Sequence, residues 1–367
     1  MDHGLRHHGD IDAEPGLLDF AVNVQGDGPP GWLRDRLVAV LDGLGRYPSA
    51  AHDARARSTV AARHGRTPDE VLVLAGSAEG FALLPALRPR LAAVVHPGFT
   101  EPEAALREAG VPVVRVLTRA DDGHRLHPAE VPAEADLVVV GNPTNPTGVL
   151  HPAADVAALA APGRVLLVDE AFADAIPGEA ESLAAQRIPG LLVFRSLTKT
   201  WALAGLRAGY ALGEPDLLAR LAAPRPPWPV STLALEGVIA CCEPAAVEQA
   251  QEAARRLVVA RAEQAAALAA VPGVEVLPGR APYLLLKVPS GDGERVRASL
   301  RAAGIAVRRC DTFPGLGPDH LRVAVRPAEL VLRLTGAIAD ALGGVGDARA
   351  RKPVPEHCYP LTTGTAQ

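Results

Sequence analysis

Residues 194–210 read Phe194-Arg-Ser-Leu-Thr-Lys-Thr-Trp-Ala-Leu-Ala-Gly-Leu-Arg-Ala-Gly-Tyr210, and the rest of the chain is organised around them. The apolar residues 191–194 predict a strand that leads into a hydroxyl-rich turn at 196–199. Lys199 is one of three lysines in a chain with 34 arginines. A lysine amine with a lowered pKa forms an imine with a carbonyl compound, whereas a guanidinium does not. Lys199 is therefore a candidate attachment point for a carbonyl cofactor, the alternative being a solvent-exposed lysine on a turn.

Short apolar runs recur through residues 71–212 and predict a sheet. Each run is continuous rather than alternating, which is typical of strands that are buried on both faces. Helix-like or loop segments separate most of them, so the sequence predicts an α/β domain with a mostly parallel seven-stranded sheet. In such sheets ligands bind at the carboxyl ends of the strands. The seven runs cover residues 71–74, 92–95, 111–116, 137–140, 165–168, 191–194 and 208–212.

The other segments predict a smaller α+β unit. Helical patterns cover residues 32–41, 53–64 and 245–270, and strand-like runs alternate with helices between 273 and 342. The proline-rich residues 224–229 interrupt the chain before this unit. The predicted division is a large domain at 46–235, a small domain formed by 1–45 together with 236–343, and a flexible C-terminal tail at 344–367.

The composition points away from nucleic-acid and membrane partners. Of the 367 residues, 48% are apolar and 22% charged, and the formal net charge is −5. No apolar stretch reaches the length of a membrane span, and the four cysteines lack disulfide or metal spacing, so a cytoplasmic location is expected. His3, His7 and His8 have no acidic or cysteine partner at ligand spacing, and no metal site is expected.

Three polar segments follow predicted strands. Residues 75–80, Ala-Gly-Ser-Ala-Glu-Gly, begin a helix whose free N–H groups suit a phosphate, although a capped helix explains them equally well. Asp169 ends an apolar run, where a carboxylate needs a salt bridge, a metal or a protonated ring nitrogen. Residues 141–148, Gly-Asn-Pro-Thr-Asn-Pro-Thr-Gly, predict a rigid turn whose asparagines are either turn formers or ligand contacts.

Together these segments resemble the class I/II aminotransferases of fold type I, which use pyridoxal 5′-phosphate. The Ser-x-Thr-Lys turn, with Arg207 eight residues after Lys199, resembles the cofactor attachment site of that family. Residues 141–148 resemble its Asn-Pro-x-Asn-Pro-x-Gly motif. The matching pieces run in the family's order from residue 23 to residue 322. The resemblance implies a fold type I transferase, with Lys199 as its Schiff-base lysine and pyridoxal phosphate as its cofactor.

The resemblance also implies how the cofactor is held. Asp169 would keep the pyridine nitrogen protonated, Asn145 would donate to the phenolic oxygen, and Phe99 would stack on the ring. Tyr47 would reach the phosphate from the partner subunit, which requires a homodimer. The remaining residues implied to bind the phosphate are Ser77, Ala78, Ser196, Thr198 and Arg207.

The same resemblance implies a small, phosphorylated, amino-acid-like substrate. Arg322 lies in an otherwise apolar run and matches the arginine that binds the substrate anion in the family. Arg326, four residues further, is predicted on the same face of that strand. Asn23 matches the asparagine that lines the substrate pocket.

Three interpretations of the reaction remain open. Decarboxylation of threonine O-phosphate in cobalamin biosynthesis is favoured, because His7-His8-Gly9-Asp10 and Asp169-Glu-Ala-Phe172 resemble that branch. Asp10 departs from its pattern, because a carboxylate replaces an asparagine where a substrate phosphate is expected. The alternative is an aminotransferase, such as one acting on histidinol phosphate. The third is a non-catalytic binding relative, which would lack Lys199 or Asp169, and both are present.

Overall fold

The computed structural model describes residues 4–343, and the predicted tail at 344–367 lies outside them. The strands are β1 (Leu18–Asp19), β2 (Val71–Leu74), β3 (Ala92–His96), β4 (Val113–Leu117), β5 (Leu137–Gly141), β6 (Val165–Asp169), β7 (Leu191–Ser196), β8 (Gly209–Gly213), β9 (Glu275–Leu277), β10 (Tyr283–Lys287), β11 (Ile305–Ala306), β12 (Arg308–Arg309) and β13 (His320–Ala324). The α-helices are α1 (Gly9–Asp12), α2 (Gly31–Val38), α3 (Ala50–His64), α4 (Ser77–Leu83), α5 (Glu101–Glu108), α6 (Ala153–Ala157), α7 (Pro215–Ala222), α8 (Thr232–Cys242), α9 (Pro244–Ala269), α10 (Gly293–Ala302) and α11 (Ala328–Gly343).

The seven predicted apolar runs form one sheet, which confirms the predicted fold class. The strand order is β2-β8-β7-β6-β5-β3-β4. Only β8 runs antiparallel to its neighbours β2 and β7, and the other neighbouring strands pair in parallel. The parallel strands β3, β5, β6 and β7 therefore bring their carboxyl ends to one edge of the sheet.

Both faces of this sheet are covered by helices. Residues 166 and 168 of β6 pack in one core with α3 and α8, while residue 167 packs in the other core with α4, α5 and α7. Side chains alternate between the faces of a strand, so each strand needs apolar residues at every position. This two-sided burial is the reason why the sequence shows continuous apolar runs rather than alternation.

A third core lies around the antiparallel sheet β12-β13-β10-β9. Helices α10 and α11 pack against each other, and α11 also packs on α9, as expected for an α+β unit. The N-terminal segment joins this unit, because β1 pairs in parallel with β11 and Phe20 is buried in the same core. Leu33 of α2 instead packs in the core of the large sheet. The domain limits at residues 46 and 235 stay a prediction.

Some local elements differ from the sequence analysis. Helix α2 ends at Val38 rather than at residue 41, and the continuous helix at 232–242 was not predicted. Nine of the eleven residues of α8 are buried, so this helix has almost no polar face whose spacing reveals it. In residues 4–343 no helix is long and apolar enough to cross a membrane. The cytoplasmic location stays a prediction.

The close approach of α4 to the sheet gives a test of the packing. A Cβ atom on Gly80 would lie 2.5 Å from Cε2 of Phe194, a fully buried ring on β7. We expect Gly80→Ala to lower the free energy of unfolding by about 1–3 kcal/mol, because the overpacked helix and ring must shift. Urea denaturation followed by circular dichroism measures this change.

Gly336 in α11 is the matched control. It is exposed, and a Cβ atom there meets no atom within 4 Å. Gly336→Ala is expected to leave the free energy of unfolding unchanged or to raise it by up to about 1 kcal/mol. Equal effects of the two substitutions would contradict the tight contact between Gly80 and Phe194.

Candidate active site

A cavity of about 550 Å³ opens at the carboxyl edge of the large sheet, between this sheet and the smaller unit. Its wall is formed by the ends of β6 and β7, the start of α4, the N-terminal segment and β13. Eleven of the thirteen predicted site residues line it. They are Asn23, Ser77, Ala78, Phe99, Asn145, Asp169, Ser196, Thr198, Lys199, Arg207 and Arg322.

Lys199 lies in the turn that follows β7. Burial, and next the positive charges of Arg322 and Arg207, lower the pKa of its amine to about 8. Asp169 opposes this shift with its negative charge. The turn is held from the N-terminal segment, because the N–H of Gln25 donates to the carbonyl oxygen of Lys199 at 2.9 Å. The side chain therefore lines the cavity with an amine that is less basic than that of an ordinary lysine.

Asp169 is the last residue of β6 and lines the same cavity. Burial is the main reason why the pKa of its carboxyl group is raised to about 7, and the negative charge of Glu170 contributes to this shift. The N–H of Ala171 opposes the shift by donating to Oδ1 at 3.1 Å. A carboxylate in this position gains most from a cationic partner inside the cavity. A protonated ring nitrogen would provide such a partner.

Hydroxyl and guanidinium donors surround the start of α4. Ser196 Oγ and Thr198 Oγ1 lie 2.7 Å apart on the turn before Lys199. Arg207 reaches α4 so closely that a Cβ atom on Gly76 would lie 2.9 Å from its Nη2 atom. Gly76 also has a φ of +78°, which favours glycine. The backbone and these donors leave a cradle that fits a phosphate.

Asn145 is oriented by Arg322. The Nη1 atom of Arg322 donates to Oδ1 of Asn145 at 2.5 Å, which leaves the amide NH₂ group of Asn145 free to donate into the cavity. The preceding residue is held as well, because Tyr283 donates its hydroxyl to the carbonyl oxygen of Thr144 at 3.0 Å. The turn at 141–148 is therefore a rigid support for one donor.

Phe99 lies on the wall of the cavity, after β3. Its ring centroid is 5.5 Å from that of His8 and 5.6 Å from that of Phe81. Phe81 in turn contacts Phe194 of β7, with the centroids 5.4 Å apart. This chain of aromatic contacts fixes Phe99 against the sheet, where its ring is available for stacking on a flat ligand.

A second arginine, Arg308, was missed by the sequence analysis. It lies directly opposite Arg322 across the antiparallel pair β12–β13, and both side chains are buried in the cavity wall. Burial, and next the charge of Arg308, lower the pKa of Arg322 to about 10. Two adjacent buried guanidiniums favour a dianion between them. Strand β12 has only two residues, so no apolar run marks Arg308 in the sequence.

Arg326 does not line this cavity, which corrects its predicted role as a substrate ligand. Strand β13 ends at Ala324, so the same-face argument fails beyond that residue. The guanidinium of Arg326 donates instead to the backbone carbonyl oxygens of Asp19, Val22 and Val24, at 2.7–2.9 Å. It anchors the N-terminal segment that carries Asn23.

Tyr47 also lies outside the cavity. Its side chain is 74% exposed and stacks on Trp228, with ring centroids 4.2 Å apart. An exposed aromatic residue here is compatible with the predicted contact across a dimer, which stays a prediction.

The N-terminal segment and the start of α5 add ionisable groups to the cavity wall. Asp10, His8 and Glu101 all line it. The Nε2 atom of His8 lies 2.5 Å from Oε1 of Glu101, and this contact lowers the pKa of the Glu101 carboxyl group. The Nε2 atom of His7 lies 3.1 Å from Oδ2 of Asp12. Within residues 4–343 no group of three or more histidine, cysteine or acidic side chains is arranged to hold a metal ion.

Comparisons with known proteins agree with this geometry. The family model "Aminotransferase class I and II" matches residues 23–338. A histidinol-phosphate aminotransferase of Mycobacterium tuberculosis is 55% identical over 335 residues, covering 91% of this chain and 90% of the relative. A threonine-phosphate decarboxylase of Salmonella typhimurium is 36% identical over 345 residues, covering 90% and 93%.

A solved structure shares the fold. The histidinol-phosphate aminotransferase of Clostridium acetobutylicum superposes with a TM-score of 0.80 at 23% identity, over 88% of this chain and 98% of that chain. The fold and the cavity define an enzyme that uses pyridoxal phosphate. The chain belongs to the class I and II aminotransferase family.

The lowered pKa of Lys199 predicts how cofactor-free protein reacts with pyridoxal phosphate. Only the unprotonated amine attacks the aldehyde, and it becomes the major form above about pH 8. The uptake rate should rise about tenfold per pH unit below this value and level off above it. Stopped-flow absorbance measures the rate, with Lys199→Arg as the unreactive control. A rate that keeps rising to about pH 10 would indicate an ordinary lysine.

Proposed function

We propose that this enzyme transfers an amino group from a phosphorylated amino compound, with histidinol phosphate as the amino donor and a 2-oxo acid as the acceptor. The observation that carries the proposal is the cavity itself. It joins a nucleophilic lysine, an acid suited to a ring nitrogen and two buried arginines suited to a phosphate dianion.

The residues that line the cavity fit pyridoxal phosphate group by group. Asp169 would hold the protonated ring nitrogen, Asn145 would donate to the phenolic oxygen, and Phe99 would stack on the ring. When bound, the cofactor withdraws electrons from the bonds at the substrate's α-carbon. The phosphate would be held by Ser77, Ala78, Ser196, Thr198 and Arg207.

Lys199 would have two successive tasks. Its amine would hold the cofactor aldehyde until a substrate amine takes its place. Because its pKa is about 8, about a tenth of this amine is unprotonated at neutral pH, far more than for an ordinary lysine. The Nζ atom would accept the proton from the substrate α-carbon and carry it, which is the proton movement that transamination needs.

The substrate phosphate would bind between Arg308 and Arg322. Both guanidiniums already donate to backbone carbonyl oxygens, Arg308 to that of His7 and Arg322 to that of Ala21, each at 2.6 Å. The Nε atom of Arg322 has no hydrogen-bond acceptor among the described residues, which leaves a donor for a ligand. Asn23 contributes an unpaired Oδ1 atom to the same region.

One observation favours transamination over the decarboxylation that the sequence motifs had suggested. The relative at 55% identity is named a histidinol-phosphate aminotransferase, whereas the threonine-phosphate decarboxylase is 36% identical.

Threonine-phosphate decarboxylation is the second candidate, supported by that 36% identity over 90% of the chain. In that reaction the substrate carboxylate leaves as CO₂, and no acceptor is needed. The same lysine would then supply the proton that replaces it.

An assay with both substrates tests the proposal. Protein loaded with pyridoxal phosphate should form glutamate from histidinol phosphate and 2-oxoglutarate, because Lys199 can move the α-proton. It should release little CO₂ from threonine O-phosphate. Lys199→Ala should reduce glutamate formation by about a thousandfold or more. Faster CO₂ release than glutamate formation would contradict the proposal and favour the second candidate.

We also propose a homodimer in which Tyr47 reaches the cofactor phosphate of the partner subunit. Large apolar side chains are exposed around Tyr47: Val38, Leu41 and Leu44 precede it, and Trp228 stacks on it. Exposed apolar side chains that recur along a short segment are typical of an interface. Lone exposed residues such as Val259 and Leu332 lie elsewhere, on α9 and α11.

Leu44→Asp tests this interface. We expect it to convert the dimer to a monomer in light scattering, because a carboxylate would be buried in an apolar contact, and to weaken pyridoxal phosphate binding at least about tenfold. Leu332→Asp is the matched control and should change neither the mass nor the affinity. A monomeric wild-type protein with full affinity for the cofactor would contradict the dimer.

A further inference from the structure

A cluster of buried ions lies near the active site, on the face of the large sheet that packs against α3 and α8. It contains two arginines, Arg63 of α3 and Arg195 of β7, and three carboxylates, those of Glu170, Asp174 and Glu179. The side chains of Arg63, Arg195, Glu170 and Asp174 are each no more than 4% exposed. None of the five lines the cavity that contains Lys199.

The two arginines are bound by shared carboxylates. Arg195 donates to Glu179 at 2.6 Å, to Glu170 at 3.2 Å and also to Asp174. Arg63 donates to Asp174 and to Glu179, both at 2.6 Å. Buried charges are tolerated when they are paired in this way, and removing one partner leaves an uncompensated charge. The cluster therefore links α3 to the ends of two central strands.

Glu170 connects this cluster to the active site. It directly follows Asp169, and side chains alternate between the faces of the sheet at this strand end. Asp169 lines the cavity, while Glu170 contacts Arg195 on the α3 and α8 face. Its carboxylate takes two further donors, the hydroxyl of Ser182 and the N–H of Leu183, each at 2.6 Å.

Arg195 holds an equivalent position on the neighbouring strand. It precedes Ser196, which lines the cavity, and Phe194 pairs with Asp169 across β6 and β7. The contact between Glu170 and Arg195 thus ties together the two strand ends that present Asp169 and the turn of Lys199. A shift of either strand end would change the distance between Asp169 and Lys199.

The cluster also has an electrostatic consequence. Two guanidiniums and three carboxylates leave one net negative charge when all are ionised. Glu170 is the cluster member whose charge acts on Asp169, and it raises the pKa of the Asp169 carboxyl group. In a buried region with little water, such a charge is felt over several ångströms.

We propose that Glu170 and Arg195 are positioning residues, which hold Asp169 in place and set the electrostatic potential at the cofactor ring nitrogen. This rests on the proposed contact between Asp169 and that nitrogen. The negative charge of Glu170 stabilises positive charge on the bound cofactor, and the positive charge of Arg195 limits this effect. Glu170 therefore favours positive charge at the cofactor ring nitrogen, and Arg195 disfavours it.

Two substitutions with opposite expected effects test the proposal. The measurement is the pH midpoint at which the visible absorbance of enzyme-bound pyridoxal phosphate changes as a proton is lost. Glu170→Gln keeps the shape of the side chain and removes its charge, so the midpoint should fall by about half a pH unit or more. Arg195→Gln removes a positive charge, so the midpoint should rise. Arg195→Lys keeps the charge and should restore it.

Glu179→Gln is the matched control. It removes the same charge from the same cluster, but Glu179 is not adjacent to Asp169, so its shift should be less than half that of Glu170→Gln. A purely structural cluster would lower the stability of the variants and leave the midpoints unchanged, or move them all in one direction. Either result overturns the proposal. Glu170→Gln and Arg195→Gln can each decide it alone if the other variant does not fold.

The outcomes also separate this proposal from the proposed function. If wild-type protein carries no visible band that depends on Lys199, the cofactor site itself is wrong. If the band is present and both Glu170→Gln and Arg195→Gln titrate as wild type, only the roles of Glu170 and Arg195 are wrong.

Discussion

The structure depends on two ionisable groups that line one cavity at the edge of a sheet. The Lys199 amine and the Asp169 carboxyl group follow neighbouring strands, and burial shifts their pKa values toward each other, to about 8 and about 7. Each shift costs free energy of folding. A cofactor that offers an aldehyde to the amine and a ring nitrogen to the carboxyl group would relieve both.

The parallel sheet is what brings these groups together. Asp169 and Ser196 end adjacent strands, and helix α4 begins where β2 ends, so a phosphate cradle, a nucleophile and an acid come from segments far apart in sequence. The smaller unit closes the cavity with Arg308 and Arg322 of an antiparallel pair. Arg326 does not bind there, but its bonds to residues 19–24 hold the segment that presents Asn23.

The sequence predicted the central sheet well because two-sided burial requires continuous apolar strands, which are visible without a structure. It predicted that Lys199, Asp169 and Asn145 lie near strand ends, and the structure places all three in one cavity, while their roles stay predictions. It missed Arg308, which lies on a strand of two residues, and it misassigned Arg326 by extending β13 past Ala324. The buried helix α8 has no periodic polar face to detect. The preference for decarboxylation came from short motifs at residues 7–10 and 169–172, and the identity over the whole chain favours transamination.

The central claim is that Lys199 is the residue that bonds to pyridoxal phosphate. Borohydride reduction of the purified holoenzyme, followed by proteolysis and peptide mass spectrometry, tests it most directly. The chain has only three lysines, Lys199, Lys287 and Lys352, so the result is unambiguous. The account predicts a reduced pyridoxyl adduct on the peptide that contains Lys199 and none on the other two. An unmodified Lys199, or an adduct on another lysine, would contradict it.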